Sequence, residues 1–334
     1  MNGTGGAPVR KRKGDCMENE ILTQSELPLR NGRVYHLDLA PHELACNVLI
    51  VGDPDRVPFF SDEFLEERET DRFHRGLRTI TGRARETGQR ITITTSGMGT
   101  PSMEIVLNEL VALNELDFST RRRKDSFTPL NIVRVGTSGG LQPDTETGTL
   151  VVTDYVVGLD NAGLCYDVPA PDAECELLER RVRNLIEGAS LSGVRFRGGF
   201  HPYAARADVR LRVALEREAL RAGAPCKRGV TVTSPGFFAE QGRGIARVSS
   251  TVPDMAELMA SLDTGIPGLK TENMEMEASF FLHFMGGLGY RAGVVCVVVN
   301  KRPDGSFLAD YGAHVRKAGL TALRACAATN PRRD

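Results

Sequence analysis

Three carboxylates, Glu272, Glu275 and Glu277, crowd the stretch Thr271-Glu-Asn-Met-Glu-Met-Glu-Ala-Ser279, just ahead of the apolar run Phe280-Phe-Leu282. Carboxylates are costly to bury unless something pairs with them, so acids at the mouth of a buried element point to a polar ligand. Arg134 poses the same problem with the opposite sign, inside Ile132-Val-Arg-Val135. A guanidinium there needs a buried acid or a bound anion, and the anion is the expectation. Arginine forks bind phosphate oxygens two at a time. Arg56 closes a second junction of this kind, Gly52-Asp-Pro-Asp-Arg56, and the turns Gly97-Met-Gly-Thr-Pro-Ser102 and Gly136-Thr-Ser-Gly-Gly140 supply backbone N–H groups and hydroxyls. The first of these turns half-matches a dinucleotide fingerprint, but Ser102 stands where the third glycine belongs, which weakens a dehydrogenase reading.

Such residues meet only if elements deliver them to one edge. Short β-branched runs bounded by glycine or proline read as strands at Asn47–Val51, Arg90–Thr95, Asn131–Val135, Thr149–Thr153, Gly229–Thr233 and Gly293–Val299. Helical patterns follow Pro101 and cover Glu174–Ala189, Arg206–Ala222, Glu277–Gly286 and Asp310–Ala328. The chain therefore reads as α/β, a single domain over residues 31–330 with a central mixed β-sheet flanked by helices. Open sheets of this kind collect ligands at the carboxyl ends of their strands. Residues 1–30 read as a disordered tail, and 117–127 (with Arg121-Arg-Arg-Lys124) and 243–271 as solvated surface excursions. The stretch 274–277 is left open between an extended strand, with Glu275 and Glu277 on one side, and a helix start at Glu277.

Composition excludes several classes. A net charge of −1 offers no field for nucleic acid or an anionic membrane. No run approaches the ~20 apolar residues of a membrane span. The seven cysteines stand singly, which suits reduced thiols in a cytoplasmic protein. The six histidines show no metal spacing, so no metal site is expected.

The four motifs Gly52–Arg56, Ser96–Ser102, Arg134–Gly140 and Asn273-Met-Glu-Met-Glu277 stand in an order and spacing that resemble the type I nucleoside phosphorylase family, over roughly residues 33–328. Phe237-Phe-Ala-Glu-Gln-Gly-Arg243 is similar to the uracil-binding segment of the family's uridine phosphorylase branch. The resemblance implies a nucleoside phosphorylase fold and reversible phosphorolysis of uridine to uracil and ribose 1-phosphate in pyrimidine salvage. Deoxyuridine and thymidine are further candidate substrates, phosphate is a co-substrate, and no cofactor is implied. It assigns phosphate to Gly52, Arg56, Arg75, Arg134 and Thr137, and ribose to His36, Glu275, Met276 and Glu277. The base falls to Phe237, Gln241 and Arg243, with Arg243 and Glu277 as the catalytic pair. His36 and Arg75 would act across an interface, making the protein a homo-oligomer, at least a dimer.

The chemistry fits these residue types. Phosphorolysis builds positive charge on the sugar and negative charge on the departing base, so a carboxylate at the sugar hydroxyls and a cation at the base both help. A Gln amide donates and accepts while Arg only donates, which matches a pyrimidine edge. Asn300-Lys-Arg302 stands where a purine-cleaving relative would carry an acidic residue. Lys301 replaces an arginine expected near uracil, so that role is left open between Lys301, Arg302 and neither. Gly76 replaces a cation-binding glutamate. Glu272 is assigned to ordinary surface. The rivals are a purine nucleoside phosphorylase, a nucleosidase of the same fold, and a non-catalytic nucleoside-binding protein.

Overall fold

A computed structural model describes residues 21–329. Ten strands form the main sheet: β1 (Asn47–Val51), β2 (Leu65–His74), β3 (Leu77–Ala84), β4 (Arg90–Thr95), β5 (Asn131–Gly140), β6 (Leu150–Gly158), β7 (Tyr203–Arg206), β8 (Cys226–Thr233), β9 (Thr271–Glu275) and β10 (Arg291–Lys301). Their order is β7-β6-β8-β9-β5-β1-β4-β3-β2, and β10 pairs with both β5 and β6. That double pairing closes β5, β10, β6, β8 and β9 into a ring. The sheet is mixed, as expected: β1 runs parallel to β4 and β5, while β9 runs antiparallel to β5.

Seven helices pack on it: α1 (Arg56–Phe64), α2 (Thr100–Glu115), α3 (Ala173–Ala189), α4 (Val209–Arg221), α5 (Met255–Ala260), α6 (Ala278–Gly287) and α7 (Gly312–Thr329). Apolar faces of α2 and α6 make one core through Leu107, Leu110, Phe280 and Phe281. A second core joins α1, α4 and α7 through Phe60, Leu215 and Leu323, and a third joins α3 and α5 through Leu178 and Met259. Burial of both sheet faces explains why β10 is apolar at nearly every position. No helix among the described residues is long and apolar enough to cross a membrane.

Several boundaries move for local reasons. The segment Gly136–Gly140, read as a turn, continues β5 in register with β10 as far as Gly140 opposite Lys301. Helix α4 begins at Val209 rather than Arg206, because residues 203–206 pair with β6 and Asp208 caps the helix, accepting from the Leu211 N–H at 2.9 Å. The hairpin β2–β3 is an element the sequence reading missed. It is an edge with charged outward residues, a common defence against stray pairing, and its two-residue turn has positive φ at Arg75 and Gly76.

The tail boundary moves as well. Leu27 is buried, and the Leu22 N–H donates to the Arg121 carbonyl at 3.0 Å. The Arg121 guanidinium in turn donates to the carbonyls of Leu22, Thr23 and Leu27 at 2.6, 2.6 and 2.5 Å. The 121–124 loop is therefore a staple rather than a solvated excursion: Arg123 pairs with Glu115, and Lys124 donates to the Asn114 carbonyl at 2.9 Å. Met1–Glu20, the remainder of the expected tail, lie outside the described residues. The 243–271 excursion contains α5.

Candidate active site

Strand β5 carries Arg134 to the centre of the sheet, with 3% of its surface exposed. Its Nη2 pairs with Glu277 and lies 3.0 Å from Glu275 Oε2. Burial works against its charge, but Glu277 and then Glu275 outweigh it, so its pKa is raised above the ordinary arginine value. The buried partner that sequence reasoning ranked second to an anion is thus present, and Arg134 still keeps an Nε without a partner among the described residues. Gly136 makes room for this arginine, since a Cβ there would sit 1.9 Å from Arg134 Nη1. That close approach accounts for Gly136, while a Cβ at Gly139 would meet the Asn300 side chain at 3.2 Å and one at Gly140 the Thr145 carbonyl at 3.0 Å.

The two carboxylates do different work. Glu275 ends β9 and serves the start of α6: its oxygens accept from the backbone N–H of Glu277 at 2.9 Å and of Ala278 at 3.0 Å, and from Thr233 Oγ1 at 2.5 Å. Burial raises its pKa above the ordinary carboxylate range, against the pull of Arg134. Glu277 flanks the N-terminus of α6, so the helix-start alternative holds. Its Oε1 accepts the Gly99 N–H at 2.7 Å, joining it to the turn ahead of α2, where Gly99 has φ +82°. Met276, between them, is half-buried. Glu272 is a correction: it is buried, and its Oε2 accepts from Thr145 Oγ1 at 2.5 Å and lies 3.3 Å from Lys227 Nζ. It ties β9 to β8.

Beside this centre lies the segment after β8. The Ser234 N–H donates to the Glu275 carbonyl at 2.9 Å, which fastens the segment to the carboxylate strand. Arg243 stacks over the Phe237 ring at 3.9 Å and donates to the Phe237 carbonyl at 2.6 Å and to Gln241 Oε1 at 2.7 Å. Burial and then the charge of Arg302 lower its pKa to about 10. Arg302 donates from Nη2 to the Gln241 carbonyl at 3.0 Å. Lys301 points elsewhere, to Glu146 at 2.6 Å and Asp304 at 3.3 Å. Of the two cations left open by sequence, Arg302 is the one in contact with this segment.

Gly52 and Arg56 flank the same edge, at the carboxyl end of β1 and the start of α1. The Gly97 carbonyl would lie 3.6 Å from a Cβ at Gly52, so the two turns touch. The Arg56 guanidinium is 4.0 Å from Asp53 and over the Tyr311 ring at 5.8 Å. Thr137 is half-buried in β5, opposite Val297.

His36 and Arg75 form a separate group. Arg75 covers the Tyr35 ring at 5.5 Å, and Tyr35 meets His36 edge-on at 5.0 Å. Strand β3 opens beyond the Thr79–Thr94 pair, so the hairpin tip shares the carboxyl-end edge of β4. It stands three strands from β5, roughly 14 Å along the ladder. Sequence reasoning missed Thr233, which holds Glu275, and Glu109, which holds His36. Neither lies in a motif, and the second contact spans 73 residues of chain.

An arginine, two carboxylates, a glycine turn and an amide-bearing stacking segment thus share one sheet edge, within a sheet whose central strands close into a ring. Residues 47–329 match the phosphorylase superfamily. The chain belongs to that superfamily. Within it, the uridine phosphorylase of Thermococcus kodakarensis is 30% identical over 289 residues, covering 86% of this chain and 85% of that protein. A DeoD-type purine nucleoside phosphorylase of Thermoanaerobacter sp. (strain X514) is 30% identical over 158 residues, or 46% of this chain and 60% of that one. Among solved structures, a Trypanosoma brucei nucleoside phosphorylase reported to show uridine phosphorylase activity superposes with a TM-score of 0.80 at 28% identity. It covers 91% of this chain and 100% of its own. The superfamily assignment bears out the fold expected from the four motifs.

Proposed function

We propose that the protein is a uridine phosphorylase, a pentosyltransferase that converts uridine and phosphate reversibly into uracil and ribose 1-phosphate, acting in the cytoplasm in pyrimidine salvage. The observation that carries this is the base segment: Gln241 and Arg243 lie together beside the Phe237 ring, with Arg302 on the Gln241 backbone. An amide that can donate and accept, next to cations, suits the two carbonyls and one N–H of uracil. Asn300, in contact range of Gly139 at the same edge, cannot protonate a purine. The likeness to a uridine phosphorylase over 86% of this chain and 85% of that protein supports the same reading.

In the reaction, phosphate held by Gly52, Arg56, Arg134 and Thr137 attacks the anomeric carbon as the bond to the base nitrogen breaks. Glu277 accepts hydrogen bonds from the ribose hydroxyls and orients the ring, with Met276 packing on the sugar. Glu275 holds that carboxylate's backbone in place. Arg243 and Gln241 meet the charge that collects on the leaving uracil, where fixed donors act most strongly. Because Arg75 and His36 stand apart from this centre in one chain, each serves the site of a second copy in a homodimer or larger assembly. Inorganic phosphate is a co-substrate and no resident cofactor is required.

The test incubates the protein with uridine, deoxyuridine, thymidine and inosine, each with and without phosphate. Phosphate-dependent release of uracil from uridine, well ahead of inosine cleavage, is the expected result. Equal uracil release without phosphate would make the protein a nucleosidase, and faster cleavage of inosine would favour the purine reading that the partial DeoD-type match raises.

A further inference from the structure

We infer that Glu109 is a positioning residue that orients His36 for its hydrogen bond to the nucleoside 5′-hydroxyl. This rests on the proposed function and on the place of His36 at the ribose. Glu109 projects from α2 and takes three donors from the strap ahead of β1. The His36 N–H and ring Nδ1 both lie 2.7 Å from Oε1, and the Leu37 N–H lies 2.7 Å from Oε2. Glu109 takes the Nδ1 edge of the ring, so Nε2 is the ring atom left to meet a ligand. Among the described residues no group takes that Nε2. Leu37 is buried beneath the strap and Tyr35 stands edge-on to the imidazole, so the ring has little freedom to turn.

A ring held in this way keeps Nε2 aimed at the 5′-hydroxyl, which can pair with it as donor or acceptor. Helix α2 also links the two ends of the device. Its first turn follows Gly99, whose N–H holds Glu277, and Glu109 lies ten residues further on, about 15 Å along the axis. One rigid element thus positions a ribose carboxylate for its own site and an imidazole for another.

The experiment compares kcat/KM for uridine and 5′-deoxyuridine in wild type, His36→Ala, Glu109→Gln and the double variant. Wild type should prefer uridine by about tenfold, the worth of one good hydrogen bond. Glu109→Gln should shrink that preference to within about threefold through a higher KM for uridine, with the KM for phosphate little changed, and the double variant should match His36→Ala. A Glu109→Gln enzyme that keeps the wild-type preference overturns the inference, as does a preference that survives His36→Ala. Should Glu109→Gln not fold, nitrogen-15 spectra of the wild-type imidazoles, with the His36 signal identified by its loss in His36→Ala, decide the point. A proton on Nδ1 is expected, and a bare Nδ1 overturns it. A wild-type protein that cleaves no nucleoside with phosphate withdraws the proposed function itself, and this inference with it.

Discussion

Removing the Arg134 guanidinium would leave Glu275 and Glu277 facing each other where each is less than 5% exposed. Breaking a buried pair by deleting one partner typically costs about 3–5 kcal/mol, whereas replacing both partners can be nearly neutral. Arg134→Met alone should therefore lower the melting temperature sharply. Arg134→Met with Glu277→Gln should recover most of that loss, because only Glu275 then remains as a buried acid and its backbone donors still serve it. Phosphorolysis should stay depressed in both variants, on the order of 10²–10³-fold or more, since the cation we propose for the attacking phosphate is gone. Thermal melts and kcat/KM on the same preparations check this. A double variant as unstable as the single one would mean that the carboxylates are not what Arg134 holds in place.

Glu43 does for the elements what Arg134 does for the site. It closes the one-turn helix Pro41–Glu43, and its oxygens take Arg33 from the strap, Arg72 of β2 at 2.8 Å and the Ala40 N–H at 2.8 Å. The strap with His36 and the hairpin with Arg75 are thereby joined at one carboxylate. Burial opposes the charge, but these hydrogen bonds outweigh it and hold Glu43 at about 2. A depressed carboxylate contributes stability above the ordinary carboxylate range and loses it as pH falls toward the folded value. Glu43→Gln should thus cost about 3 kcal/mol at neutral pH, and the gap to wild type should close as pH falls from about 4.5 to 2, as read by denaturant melts across that range.

Little of this joint was legible in the sequence. Strands β1, β4, β5, β8 and β10 announce themselves as β-branched runs, and the four motifs at their ends placed Arg134 and Glu277 together. The β2 sequence, Leu65-Glu-Glu-Arg-Glu-Thr-Asp-Arg-Phe-His74, has no apolar alternation because it is an edge strand stabilised by ion pairs. Glu272 and Glu109 were invisible for another reason: each is satisfied by residues far away in the chain, and burial of a charge follows from the partner rather than from the local pattern.

On the scale of the whole molecule, the placement of Arg75 has a consequence that a mixing experiment reads directly. Arg134 and Glu277 sit at the centre of the sheet, while Arg75 projects from a hairpin tip three strands away and is exposed. An arginine side chain cannot bridge a gap of roughly 14 Å, so an Arg75 that serves phosphate serves it in another subunit. Arg75→Ala and Arg134→Met should each be nearly inactive alone. In a hybrid dimer of the two, the site on the Arg75→Ala subunit has its own Arg134 and receives an intact Arg75 from the other chain, while the second site lacks both. Random reassociation makes half of the dimers hybrid with one working site in two, so an equimolar mixture unfolded and refolded together should regain about a quarter of wild-type activity. Two parents mixed without exchange supply the baseline. Refolded mixtures no more active than that baseline would place Arg75 outside the phosphate site.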